Sequence, residues 1–244
     1  RAYPGFDISL DDVSMWNAGL TLFGENTPGQ TNLSYGKRSI LVDHAKADQV
    51  DGLMTLVGVR YTIGRGMAEK AVDATFKKLG YKNVDRSKTH KIPVYGGNIA
   101  HFTHFMDEAR HLNPAIAANV MDDVVRNYGT HYEQVLGMAT SDPSLLETVG
   151  ETTTIKAQVL HAIRDEMAYT LADAAMRRTG LATGENPGVD ALRTVADLMA
   201  AELGWDEARI QREMDTVLTR FKFGSTLSEL TVEQDANQPV PALA

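Results

Sequence analysis

From Ile99 onward the chain carries helix punctuation and no run that reads as a strand, and this change of pattern constrains the fold more than any other feature. Asn113-Pro114 and Asn186-Pro187 each read as an N-cap followed by proline at the first helical position, Gly204 as a helix stop, and Asp206 as the start of a last helix. Five to seven helices packed into a compact bundle are expected over 99–224. The earlier part reads differently. Short apolar runs at 13–18, 37–43 and 53–57 are expected to be strands, and MAEKAVDATFKKL at 67–79 puts Met67, Ala71, Ala74, Phe76 and Leu79 along one helical face. The fold class is therefore α+β: a partial sheet-bearing domain over 1–80, a connector over 81–98, a helical domain over 99–224, and a polar, proline-bearing tail over 225–244.

Composition narrows the function classes. Cysteine is absent, which excludes disulfides, thiolate catalysis and cysteine-built zinc sites and suits a reducing compartment, so cytoplasm is the expected location. The net charge is −8 and the 24 Lys and Arg are scattered, so a general nucleic-acid binder is not expected; an anionic substrate would need a local basic site. No apolar stretch approaches the ~18 residues of a membrane span. The chain opens on Arg1 and runs directly into a strand-like stretch, so it is expected to be part of a longer protein.

The segment GLMTLVGVRYTIGRGMAEKAVD at 52–73 carries the chemistry. A short apolar strand meets Gly58 and turns into a helix whose first turn falls near Thr62 to Gly66. A helix start offers free backbone N–H groups and partial positive charge, suited to an anion, a phosphate or the pyrimidine edge of a flavin. Arg60 and Arg65 add two cations there, and simple turn glycines with solvated arginines are the plainer alternative.

This segment resembles the one that reads GL-x-x-x-x-GGK-x-TT-x-R-x-x-AE-x-A in FAD-dependent glycerol-3-phosphate dehydrogenases. Gly52, Leu53, Gly58, Arg60, Thr62, Arg65, Ala68, Glu69 and Ala71 fall on it in register, while Val57, Arg60 and Ile63 replace a Gly, a Lys and a Thr. The run 16–44 resembles a second family block, in which an Arg stands five residues before an Asp, as Arg38 and Asp43 do; an earlier family Arg falls near Thr21 and is missing. YGTHYEQVLGMA at 128–139 and IRDEMAYTLADAAMRRTGL at 163–181 are similar to two blocks of the family's C-terminal helical domain, so the resemblance covers about 16–220.

The resemblance implies oxidation of sn-glycerol 3-phosphate to dihydroxyacetone phosphate with FAD as cofactor and a quinone as acceptor. It implies that Arg38 and Arg60 bind the phosphorylated polyol and that Gly58, Arg60, Tyr61, Thr62 and Arg65 hold the flavin. It also implies peripheral membrane contact on the cytoplasmic face and a homodimer. The catalytic base is not identified. The Gly-x-Gly-x-x-Gly fingerprint does not occur here, so this chain alone is expected to bind FAD poorly and to be inactive. Two other readings remain at this point: a flavoenzyme acting on amino or hydroxy acids, and a non-catalytic helical interaction module.

Three further groups invite a sharper and a plainer reading. His101, His104, Glu108 and His111 are ligand-like in type, but an amphipathic surface helix is preferred to a metal site, and the same stretch with Phe102, Phe105 and Met106 is a candidate membrane or subunit contact. His44 is read as a strand-end histidine before a proton carrier. Glu166, Asp173, Arg177 and Arg178 are read as structural, with Asp173 and Arg177 spaced for an i, i+4 ion pair and the set packing the helical domain against the flavin domain.

Overall fold

A computed structural model describes residues 5, 12–15, 26–32, 34, 36, 38–58 and 60–221. Two compact units emerge, one within 18–94 and the other from 95 onward together with the residues before 18.

In the first unit, β1 (Ile40–Asp43) and β2 (Met54–Val57) pair antiparallel, with Ile40 opposite Val57 and Asp43 opposite Met54. Between them lies the one-turn α1 (His44–Ala47), N-capped by Asp43, whose side chain accepts from the Ala45 N–H. Both strands are shorter than the apolar runs that announce them. After β2 a 3-10 turn (Tyr61–Ile63) leads into α2 (Gly64–Lys78), the expected helix with three more residues at its start. The connector that follows has no regular structure.

The second unit is helical: α3 (Phe102–Leu112), α4 (Ala118–Tyr128), α5 (Tyr132–Gly137), α6 (Lys156–Arg164), α7 (Leu171–Asp173, continued by a π turn to Arg178), α8 (Val189–Leu203) and α9 (Glu207–Thr219). The first apolar run, 13–18, is not a strand where it is described: residues 13–15 are irregular, and the Ser14 hydroxyl donates to Gly184 O at 3.1 Å; 16–18 and the tail 225–244 lie outside the described residues.

Both Asn-Pro signals mislead about position. Asn113 caps the end of α3, its amide donating to Ala109 O at 2.8 Å, and α4 begins only at Ala118. Asn186 forms a local turn by accepting from Gly188 N at 3.0 Å, and α8 starts at Val189. Gly204 does end α8 in the left-handed conformation at φ 70°, and Asp206 caps α9 by accepting from Arg209 N at 2.7 Å.

α6 organises the second unit, because every residue from Ala157 to Ile163 is buried. Ala157 and Leu160 join a core with Met121, Val124, Val125 and Val135. Val159, Ala162 and Ile163 join another with Leu171, Leu192, Val195 and Met199. A residue advance of 100° per position gives one helix two apolar faces and leaves Gln158 and His161 as a polar stripe between them. The N-terminal edge of this unit is pinned by two glycines: Gly96 (φ 76°) and Gly129 (φ 53°) touch backbone to backbone, and Thr130 N donates to Gly96 O at 3.0 Å. Neither position has room for a Cβ.

Candidate functional site

Where β2 ends, Arg60 is extended (φ −135°, ψ 129°) and swings the chain out of the hairpin into the 3-10 turn and α2. No side chain caps α2, and its first turn holds no acidic residue. The Gly64 N–H closes the 3-10 turn on Tyr61 O, the N–H groups after it have no side-chain cap, and Arg65 sits where the helix dipole is already positive. Gly58, Arg60, Tyr61, Thr62, Gly64 and Arg65 line one open concavity at this junction. All five residues assigned to the flavin from sequence thus share one surface, together with Gly64.

Their side chains differ in how free they are. Tyr61 is fully exposed at 100%. Arg65 donates to Glu69 Oε2 at 2.7 Å and to Thr89 Oγ1 at 3.1 Å, so its guanidinium is partly committed to its own helix and to the connector. Arg60 is exposed and makes no ion pair among the described residues. Arg38 is also exposed and does not line the concavity, but it stands two residues before Ile40, whose partner is Val57; the antiparallel register therefore brings Arg38 to the same end of the hairpin as Gly58 and Arg60.

The opposite end of the hairpin is closed by charges that sequence spacing did not reveal. Lys78 Nζ lies 2.8 Å from both Asp43 Oδ1 and Asp51 Oδ1. The Lys78 hydrogen bond holds the Asp43 and Asp51 carboxyls below their usual range, and the two carboxylates raise the Lys78 ammonium in return. His44 has both ring nitrogens engaged, Nδ1 with Asp48 and Nε2 with Thr55 Oγ1 at 2.8 Å, which favours the strand-end reading.

On α3, Met106 and Ala109 are buried and Phe105 packs edge to face on Tyr132, so of the three apolar residues considered for a membrane or subunit contact only Phe102 is exposed, beside an outer face that carries the histidines. Among the described residues no group of three or more His, Asp or Glu is arranged to hold a metal ion. Asp173 and Arg177 form the expected ion pair at 2.9 Å, and Asp173 also closes a capping box with Thr170. Burial pushes the Asp173 carboxyl up, but hydrogen bonds from Thr170 and Tyr169 and the Arg177 charge bring it below its usual value. No helix among the described residues is long and apolar enough to cross a membrane.

Chemically, the junction concentrates positive potential from a helix start and two arginines beside a concave, partly apolar surface. It is suited to an anionic edge: a phosphate or the N1 and O2 side of a flavin ring.

Comparison with known proteins agrees with the residue patterns. A family described as the C-terminal domain of alpha-glycerophosphate oxidase matches residues 87–210. Glycerol-3-phosphate dehydrogenase 2 of Mycobacterium tuberculosis is 34% identical over 189 residues, covering 74% of this chain and 31% of its own length. The mitochondrial glycerol-3-phosphate dehydrogenase of Mus musculus is 31% identical over 232 residues, 91% of this chain and 30% of its own. The glycerol-3-phosphate dehydrogenase of Synechocystis sp. is 26% identical over 219 residues, 88% of this chain and 38% of its own. The chain thus spans about a third of the length of the curated relatives it matches. Four ordered sequence blocks, a helical unit over the matched residues and these relatives lead to one conclusion: the chain belongs to the glycerol-3-phosphate dehydrogenase family, and its helical part is the C-terminal domain shared with alpha-glycerophosphate oxidase.

Proposed function

We propose that this chain is part of an FAD-dependent sn-glycerol-3-phosphate dehydrogenase that yields dihydroxyacetone phosphate and passes electrons to a quinone. The observation that carries the reading is the uncapped start of α2 beside Arg60 and Arg65, in a chain of this family. Bound FAD would supply the hydride acceptor. The N–H groups at the start of α2, with Gly58, Tyr61, Thr62 and Arg65, would hold the pyrimidine edge of its ring, where negative charge gathers on reduction. Arg60 and Arg38, exposed at one end of the hairpin, would hold the substrate phosphate and fix C2 of the polyol in place.

The first unit also bears on the size of the active protein. Ile40, Leu53 and Leu56 on the hairpin, Val72 on α2 and Leu79 just after it are exposed, and Met67 is the one buried residue of α2. The two strands among the described residues need further layers over their apolar faces, and we read those layers as parts of a flavin domain. The connector supports peripheral contact with an anionic membrane on the cytoplasmic side: Lys82, Arg86, Lys88 and Lys91 are exposed among exposed Tyr81, Ile92 and Val94. A homodimer is proposed from the family alone.

The test is glycerol-3-phosphate oxidation by the full-length protein with a dye acceptor, compared with Arg38→Ala and Arg60→Ala. Loss of about 2 kcal/mol of transition-state binding in each variant, roughly thirtyfold in kcat/KM, is expected. A flavin-loaded parent that ignores this substrate would sink the substrate assignment and leave the family standing.

A further inference from the structure

Arg65 lines the concavity at the start of α2 with its guanidinium already held on one side. Its Nη1 donates twice, to Glu69 Oε2 at 2.7 Å one turn along α2 and to Thr89 Oγ1 at 3.1 Å in the connector. Nη1 carries two hydrogens, so both are used. Nε and Nη2 make no hydrogen bond among the described residues. They form the side-on edge of the planar guanidinium, whose parallel N–H groups match a pair of neighbouring acceptors. A flavin ring offers such a pair at N1 and O2, where negative charge collects on reduction.

The holder supplied by the connector is itself fixed. Lys91 N donates to Lys88 O at 2.8 Å, and the turn this closes carries Thr89 at its second position. Ser87 Oγ lies 2.9 Å from Thr89 Oγ1 and accepts from Thr89 N at 3.3 Å. The Thr89 hydroxyl thus shares a hydrogen bond with Ser87 and keeps a lone pair for Arg65. Glu69 holds the same nitrogen from the helix at i, i+4 spacing. Arg65 is about half exposed and Thr89 is exposed, so these bonds add little to the stability of the fold. What they restrict is the direction of one long, otherwise freely rotating side chain.

We infer that Thr89 is a positioning residue for the reaction: its hydroxyl, together with Glu69, orients the Arg65 guanidinium and leaves the Nε–Nη2 edge for an anionic ring edge. The inference rests on the flavin role proposed for Arg65 and extends that site into the connector. Thr89 acts only through Arg65. A cation oriented in advance need not be ordered when the ring gains charge, so loosening it weakens the hold on reduced flavin.

The experiment measures the two-electron midpoint potential of the flavin in the full-length holoprotein and in its Arg65→Gln, Thr89→Val and Thr89→Ser variants. Bound FAD and the urea unfolding midpoint are recorded for each. Arg65→Gln is expected to cut the reduced-to-oxidised ratio at the parent midpoint about tenfold, a fall of about 30 mV, and Thr89→Val about threefold, a fall of about 14 mV. Thr89→Ser keeps the hydroxyl and should stay with the parent, while the unfolding midpoints do not separate the two Thr89 variants. FAD lost from Thr89→Val but kept by Thr89→Ser would support the same role. A potential that moves in Arg65→Gln but not in Thr89→Val would overturn the inference and leave the flavin site standing. So would a Thr89→Ser variant that falls as far as Thr89→Val or loses FAD equally. A potential unmoved by Arg65→Gln would overturn both the inference and the flavin role of Arg65.

Discussion

The contact between Gly96 and Gly129 sets a stringent demand on the helical unit, and Gly129→Ala tests it. A Cβ on Gly129 would stand 2.0 Å from Gly96 O and 2.8 Å from its carbonyl carbon, so the two backbone segments would have to part. Relief to a normal contact near 3.5 Å means a shift of about 1.5 Å. That shift breaks the Thr130 N to Gly96 O hydrogen bond at 3.0 Å, a loss of about 1 kcal/mol. Gly129 also holds φ 53° with ψ −129°, a region nearly closed to residues with a Cβ and costing alanine about 1–3 kcal/mol. With the strain of forced repacking, the total destabilisation is about 4 kcal/mol, or roughly 10–15 °C in melting temperature. Thermal and urea unfolding read it out. Gly137→Ala in the same segment is the control: Gly137 is helical at φ −59° with nothing within 4 Å of the added carbon, and alanine there should stabilise by about 0.5–1 kcal/mol. A Gly129→Ala variant that melts with the parent would refute the reasoning, because it would mean that the glycine contact bears no strain when filled.

Two more outcomes follow from charges that hold elements in place. Glu213 is buried on α9 and accepts from Leu171 N at 3.0 Å while pairing with Arg209 at 2.7 Å. Glu213→Ala strands the Leu171 N–H in the core and should cost about 2–3 kcal/mol in urea unfolding, with Glu213→Gln milder because an acceptor remains; equal losses in both would discount the hydrogen bond. In the hairpin unit, Asp43 and Asp51 titrate below the usual carboxylate range because of Lys78, so their contribution is present above that range and is lost as pH falls through the lowered values. Lys78 titrates above its usual range, so its part persists until pH rises through the raised value. Protection of the Ile40–Val57 amides, taken relative to their intrinsic exchange rates, should therefore fall in strong acid and in strong base, and protection unchanged at both extremes would contradict the clamp.

What could be read in advance was what the chain encodes locally. Gly204 and Asp206 announce a stop and a start because a left-handed glycine and a capping carboxylate act within three residues of themselves. The residues proposed for the flavin edge lie within Gly58 to Arg65, so one strand-to-helix turn suffices to gather them. The Asn-Pro pairs misled because an asparagine side chain can bond backward as readily as forward, and Asn113 bonds backward to Ala109. The run at 13–18 had strand-like composition, but Ser14 is satisfied by Gly184, a partner 170 residues away. Distance in sequence also hid Lys78 between Asp43 and Asp51, Tyr128 against His161, and Gly96 against Gly129. None of these pairings leaves a periodic trace.

The double burial of α6 also shapes how the helical unit comes apart. A helix that serves as a common wall cannot be released by one core and retained by the other, since each apolar face loses its cover when the partner face is exposed. Partial opening on either side thus forfeits support on both, and the two clusters behave as one cooperative foldon instead of two that fray in turn. Backbone amides of Ala157–Ile163 exchange with solvent only when the whole unit opens, and their rate reports its global stability.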